Sequence, residues 1–193
     1  MIEYTDTGIW ITDEKSVHAY DNGLAEYISH AMLSDAFASV NANPKVIDFG
    51  CGTGAYCRKF AEMGIRPTAM DGNMKSESIS DFPIQIVDIT KPYEHEKVPF
   101  GVSIEVGNHV PPGLCDAYLD GMCSKIESLL FLSWARPGQG GSNQLNRLDF
   151  DSVAAKLYKR GFMPDYELTY KTRRASGYVW LKDTASVYRR FSS

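Results

Sequence analysis

The sequence predicts an α/β protein: a mostly parallel sheet with helices on both faces, closed by an antiparallel C-terminal hairpin. Three observations predict it. Short apolar runs alternate with stretches of helical spacing, the pattern of strands joined by helical crossovers. Between the first such strand and its helix, "DFGCGTGAY" places three glycines in five positions. The last two candidate strands have no helical pattern between them, and strands joined by a loop alone must run antiparallel.

Taken in order, residues 1–16 are polar with scattered aromatics (Tyr4, Trp10) and show no period. "SVHAYDNGLAEYISHAML" then spaces Leu24, Tyr27, Ile28 and Met32 as a helix does. Residues 1–40 are therefore an N-terminal helical region placed to cover a site, and Asn43-Pro44 marks the turn into a core over 44–193. Val46 to Phe49 is a buried strand, and Tyr56 to Met63 is the helix after it, ended by Gly64. Further strands are "RPTAMDG" ending at Asp71, Ile84 to Ile89, Phe100 to Val106, and "SLLFLSWA". "GLCDAYLDGMCSKI" and "FDSVAAKLYKRG" are helices, the second closed by Gly161. "MPDYELTYKTRR" and "SGYVWLKDTASVYRR" read as the closing pair of strands.

At 193 residues the chain suits one domain over 1–193, standing alone or cut from a larger fusion. The 44% hydrophobic and 23% charged fractions are ordinary for a globular protein. No apolar run reaches the ~18 residues of a membrane span, and "MIEYTDTGIW" does not read as a signal peptide, so none is expected. The four cysteines lack CxxC spacing and suggest neither a zinc site nor a disulfide framework. No metal is expected, and a reducing, cytoplasmic compartment is. The net charge of −4 hides an asymmetry, with nine Lys or Arg against three Asp or Glu in residues 156–193. That basic end keeps a nucleic-acid partner open, although a solvated face explains it more simply. Oligomeric state is not readable.

Glycines at a strand-to-helix turn permit positive φ and let a ligand approach bare backbone. Gly50-x-Gly52-x-x-Ala55 satisfies the dinucleotide pattern, so a nicotinamide or flavin site must be weighed. Against it, Asp48 lies inside the strand, where a dinucleotide strand is normally apolar. The spacing D-x-G-x-G-x-G resembles motif I of class I S-adenosylmethionine-dependent methyltransferases. That resemblance implies a Rossmann-like sheet with the antiparallel closing hairpin. It also implies S-adenosyl-L-methionine as cofactor and S-adenosyl-L-homocysteine as product. Asp48 would then work near the cofactor amino group, with Gly50, Cys51, Gly52 and Gly54 making room for its methionine and ribose portions.

Open α/β sheets bind ligands at the carboxyl ends of their strands. Asp71, Asp88 and Glu105 each close a predicted strand. Asp71 lies 21 residues after Gly50, the distance expected of an acid on ribose hydroxyls, with Gly72 behind it for close approach. Asp88 and Ile89 match the adenine position of the resembling family. Glu105 and Val106 complete the expected cofactor side.

The whole chain also resembles a narrower family. "HAYDNGLAEYI", "DFGCGTGAY", "DGN", "EVGNHVP", "SWARPGQGG" and "VWLKDTASVYRR" fall in the order seen in small methyltransferases of viruses, algae and bacteria. Some of these are fused to glycosyltransferases, and chlorovirus capsid-glycan O-methyltransferases are among them. The resemblance implies O-methylation of a sugar or glycan hydroxyl, with rhamnose among the candidates, in a host cytoplasm if the source is viral. The chain departs from the family where Asn108 replaces a glutamate and where Ser142 to Asn146 omit a histidine.

A hydroxyl acceptor needs alignment and loss of its proton, for which a base contributes about 10²–10⁴-fold. His109, on a turn stiffened by Pro111-Pro112, is the candidate base, and His18 the second. Tyr20, Trp134, Arg136 and Gln139 are the candidate acceptor contacts, the last two on a glycine-rich loop. The alternatives are an RNA or other small-molecule methyltransferase, or a cofactor-binding module without catalysis.

Overall fold

The computed structural model describes residues 2–39 and 44–191. The turn expected at Asn43-Pro44 thus lies partly outside the described residues. A two-stranded hairpin, β1 (Glu3–Tyr4) with β2 (Trp10–Ile11), opens the chain where the sequence shows no period. Helix α1 (Asn22–Ala38) follows. The main sheet has seven strands: β3 (Lys45–Phe49), β4 (Arg66–Asp71), β5 (Ile84–Ile86), β6 (Val98–Ser103), β7 (Ile126–Leu132), β8 (Phe162–Pro164) and β9 (Ser186–Arg190). Their spatial order is β5-β4-β3-β6-β7-β9-β8. The pairs from β5 through β7 are parallel, and β9 runs antiparallel to both β7 and β8.

The helices between strands are α2 (Ala55–Glu62), α3 (Ser76–Ile79), α4 (Cys115–Cys123), α5 (Phe150–Tyr158), α6 (Tyr166–Ala175) and α7 (Val179–Thr184). Alternation along each strand sends side chains to opposite faces. Val46, Phe100, Val102, Phe131 and Val187 pack with Leu24, Ile28 and Met32 of α1. Ile47, Phe49, Leu130 and Leu132 pack with Tyr118, Leu119 and Met122 of α4 and with Leu157 of α5. Burial on both faces explains why the central strands read as nearly continuous apolar runs.

The antiparallel C-terminal pair is present, but its connection differs from the expected loop. Residues 166–175 form helix α6, not a strand. Tyr166, Leu168 and Tyr170 alternate as a strand would, and that pattern loses to helix capping. Asp165 accepts from the Leu168 backbone N–H at 3.0 Å, and Arg173 and Arg174 occupy the last turn. In "SGYVWLKDTASVYRR" only Ser186–Arg190 is strand, with α7 before it. Asp21 ties this region to the N-terminus. It caps α1 through Leu24 N–H at 3.0 Å and accepts from Ser176 Oγ at 2.5 Å and Gly177 N–H at 2.8 Å. No helix among the described residues is long and apolar enough to cross a membrane.

Candidate functional site

Strand β3 is paired with β4 on one side and β6 on the other. The chain direction across the sheet reverses there, and such a switch point opens a crevice at the strand ends. The glycine turn lies in that crevice. Gly50, Gly52 and Gly54 have φ of 77°, 57° and 72°, the left-handed region that side-chain-bearing residues rarely adopt. A Cβ on Gly50 would lie 2.5 Å from Val106 Cγ2, and one on Gly52 2.7 Å from His18 Nδ1. Backbone therefore borders the cavity where a side chain would not fit.

The cavity measures about 640 Å³. Its base gathers Asp48, Asp71 and Asp88 from three adjacent strands or the loops after them. Asp48 is 3% exposed and, among the described residues, its carboxyl receives only the Cys57 thiol, with Sγ 3.6 Å from Oδ2. Burial, aided by the Asp71 charge, pushes its pKa up to about 7. Asp71 accepts Gly52 N–H on Oδ2 and Asn73 N–H on Oδ1, both at 2.8 Å. These bonds fix its carboxylate at the rim, and burial still raises its pKa. Asp88 lies two residues beyond β5, not at its end. Burial opposes its ionisation, but Thr90 and Lys91 outweigh that and hold its carboxyl below the usual range. Ile89 and Gly72 also line the cavity, and Ile9 covers Gly72.

Strand β6 ends at Ser103, so Glu105 and Val106 stand on the following turn. Glu105 has φ of 58°, a strained value for a non-glycine residue. Its backbone N–H donates to Ser133 Oγ at 2.7 Å, and that hydroxyl donates back to Oε1 at 2.8 Å. Gln139 Nε2 reaches Oε2 at 3.4 Å. Burial raises the Glu105 pKa. His109 also borders the cavity. Its Nδ1 lies 2.9 Å from the Asn143 carbonyl and must donate, so the lone pair is on Nε2, which faces Asn108 Nδ2 at 3.2 Å. Burial lowers its pKa. The Trp10 ring meets it edge-on at 4.6 Å.

The remaining candidates are dispersed. His18, Gln139 and Cys51 line the cavity, whereas Tyr20, Trp134 and Arg136 do not. Trp134 is 4% exposed, packs over Gly107, and donates its indole N–H to Asn146 O at 2.6 Å. It belongs to the core beside Tyr118. Arg136 turns outward to Asp183 at 2.7 Å. Tyr20 hydrogen-bonds Asn22 at 3.1 Å and meets Tyr56 edge-on. In exchange the structure brings Trp180 to the cavity mouth, stacked on Tyr178 at 4.4 Å. Gln144 and the strap residues Thr7, Ile9 and Trp10 line it as well. The reading of α7 as a strand hid Trp180, and residues 1–16 carried no signal.

Seven of the nine cations in the basic C-terminal segment are engaged. Lys156 and Arg160 pair with Asp116, Lys171 with Glu167, and Arg189 with Asp35 and Asp165. Arg173 and Arg190 donate to backbone carbonyls, and Arg174 to Tyr170.

No family model and no curated protein matches the chain. Solved structures do. Magnesium protoporphyrin IX methyltransferase ChlM of Synechocystis PCC 6803, with bound SAM, aligns at TM-score 0.62 and 15% identity over 92% of this chain and 88% of that one. The sugar N-methyltransferase KedS8 of Streptoalloteichus sp ATCC 53650 aligns at 0.66 and 10% identity, covering 89% and 88%. CalS10, an amino pentose methyltransferase of Micromonospora echinaspora, aligns at 0.66 and 13% identity, covering 92% and 94%. At such identities the likeness is one of fold, and the chain has the Rossmann-like fold of class I S-adenosylmethionine-dependent methyltransferases.

Proposed function

We propose that the chain is an S-adenosylmethionine-dependent methyltransferase whose acceptor is a hydroxyl of a sugar or glycan. One observation carries this reading: a single switch-point cavity has an acidic, glycine-cradled base and an opposite end bordered by His109, Gln139, Gln144 and Trp180. The base fits the cofactor. Asp71 would take the ribose hydroxyls, Asp88 the adenine amino group, Asp48 the methionyl ammonium, and the bare backbone of Gly50 and Gly52 leaves room for the chain between them. When bound, the cofactor supplies a methyl group made electrophilic by its sulfonium.

The opposite end suits a pyranose. An indole face accommodates C–H surfaces, and amide side chains meet hydroxyl edges. His109 would be the base. Its Nδ1 donation to Asn143 leaves the Nε2 lone pair as the proton acceptor, and burial keeps the ring unprotonated near neutrality. The acceptor hydroxyl would replace the Asn108 amide at that nitrogen. Four buried free cysteines fit a cytoplasmic setting. The ordered family-like motifs support the glycan class. Paired cations around the C-terminal segment weaken an RNA acceptor.

The test is incubation with S-adenosylmethionine and, in parallel, methyl rhamnoside, other methyl glycosides and a short RNA, followed by mass spectrometry. Gain of one methyl on a glycoside oxygen is expected. Methylation of RNA alone would replace the acceptor class, and tight NADH binding without S-adenosylmethionine binding would replace the cofactor.

A further inference from the structure

We infer that His18 is the ligand for the cofactor's carboxylate and takes up a proton as it binds. The inference rests on the cofactor reading above and concerns charge. Among the described residues lining the cavity there is no Lys or Arg, while Asp48, Asp71, Asp88 and Glu105 are all acids. Acids suit a ribose diol, two amino groups and a sulfonium, but they repel a carboxylate. Only His18 and His109 can supply positive charge there. Both ring nitrogens of His109 are engaged, by Asn143 and Asn108. His18 Nε2 is buried with no hydrogen-bond partner, an arrangement that needs an explanation in a folded protein. Its ring lies against Gly52 in the glycine turn.

The surroundings favour a neutral ring until the anion arrives. Burial lowers the His18 pKa, and the Asp71 charge opposite it on β4 raises it by less. Asp48 lies in the same cavity, and Lys15, on the adjoining turn, pairs with Asp81 at 3.7 Å. A carboxylate against Nε2 adds a second favourable charge and a charge-assisted hydrogen bond, which together move the ring toward its cationic form.

Calorimetry of the full chain with S-adenosylmethionine and with its decarboxylated analogue, in buffers of different ionisation enthalpy, tests this. Near neutral pH wild type takes up one more proton with the first ligand than with the second, a difference untouched by any proton that Asp48 gives up to the ammonium both ligands share. His18→Ala weakens S-adenosylmethionine by about tenfold or more, abolishes the difference in uptake, and binds the decarboxylated analogue as wild type does, which also establishes that the variant is folded. His18→Gln, a neutral donor, gives intermediate affinity without that difference. Equal weakening for both ligands, or wild-type affinity for S-adenosylmethionine in His18→Ala, overturns the assignment. Failure of wild type to bind either ligand overturns the cofactor reading together with it.

Discussion

The two ends of the cavity are built differently. The acidic base comes from neighbouring parallel strands, where the register of β3 with β4 and β4 with β5 brings Asp48, Asp71 and Asp88 together. Its groups are held largely by local backbone and neighbouring side chains, as when Asp71 takes the N–H of Gly52 and Asn73. The opposite end comes from segments far apart in the chain: the turn after β6, the 139–144 loop and α7. Its contacts run between loops, as in His109 with Asn143. A sheet edge thus fixes one end in advance, while the other is assembled from parts that vary without disturbing the sheet. Such a division suits a constant cofactor and a fold-level neighbourhood whose named members act on porphyrin and on sugars.

The largest expected effect concerns the acidic base. Asp48 has a pKa raised from 3.8 to about 7 by burial. Between those values the folded chain keeps a proton that the unfolded chain loses, so stability falls as pH rises through this window. The full span corresponds to about 4 kcal/mol. Urea unfolding from pH 4 to 7 should show the decline, and Asp48→Asn should flatten it. An unchanged slope in that variant would move the effect to Asp71 and Glu105, whose carboxyls burial also raises.

Next comes His109, which tests whether the loop-built end does chemistry or only positions the acceptor. His109→Ala should lower kcat by at least about 10²-fold with cofactor affinity nearly unchanged. Because burial lowers the His109 pKa, wild-type kcat should rise with pH along a limb below about 6.5. That limb should vanish in the variant. Near-normal kcat would leave positioning by Gln139 and Trp180 as the source of rate.

The same contrast decides what was legible in the sequence. Apolar runs, an aspartate within a strand and three glycines at a turn are local signals, and they located the parallel sheet and its base. The opposite end had no such signal. Trp180 reaches the cavity only because 179–184 is helical, and its neighbours Tyr178 and Val179 suggest a strand. Trp134 ends an apolar strand, a position open equally to the core and to an acceptor contact, and the core wins because Gly107 lets the indole close over the turn and Asn146 takes its N–H. In α6, alternating aromatics outweighed the Asp165 cap, although buried Thr169 and Thr172 follow helical spacing.

A smaller effect is expected at Asp71. If it holds the ribose hydroxyls, Asp71→Ala should weaken S-adenosylmethionine by about 1.5–3 kcal/mol, the scale of hydrogen bonds to a charged group. Since Asp71 also holds two backbone N–H groups, thermal unfolding must be measured beside calorimetry. A variant that loses stability but binds with wild-type affinity would make Asp71 a brace for the glycine turn and not a ligand.

The smallest effect is at Arg136, which the sequence suggested as an acceptor contact on the same loop as Gln139. Its side chain is 58% exposed and pairs with that of Asp183, itself 45% exposed. Such surface pairs contribute about 0.2–1 kcal/mol. Arg136→Ala should therefore shift stability within that range and leave kcat/KM for a glycoside acceptor unchanged. Gln139→Ala removes the amide that reaches Glu105 inside the cavity and should raise acceptor KM, with cofactor affinity preserved. The pair of variants separates the two faces of one loop. A raised acceptor KM in Arg136→Ala, with stability unchanged, would mean that this side chain leaves Asp183 to meet the acceptor. The loop-built end would then extend past Gln139, toward α7.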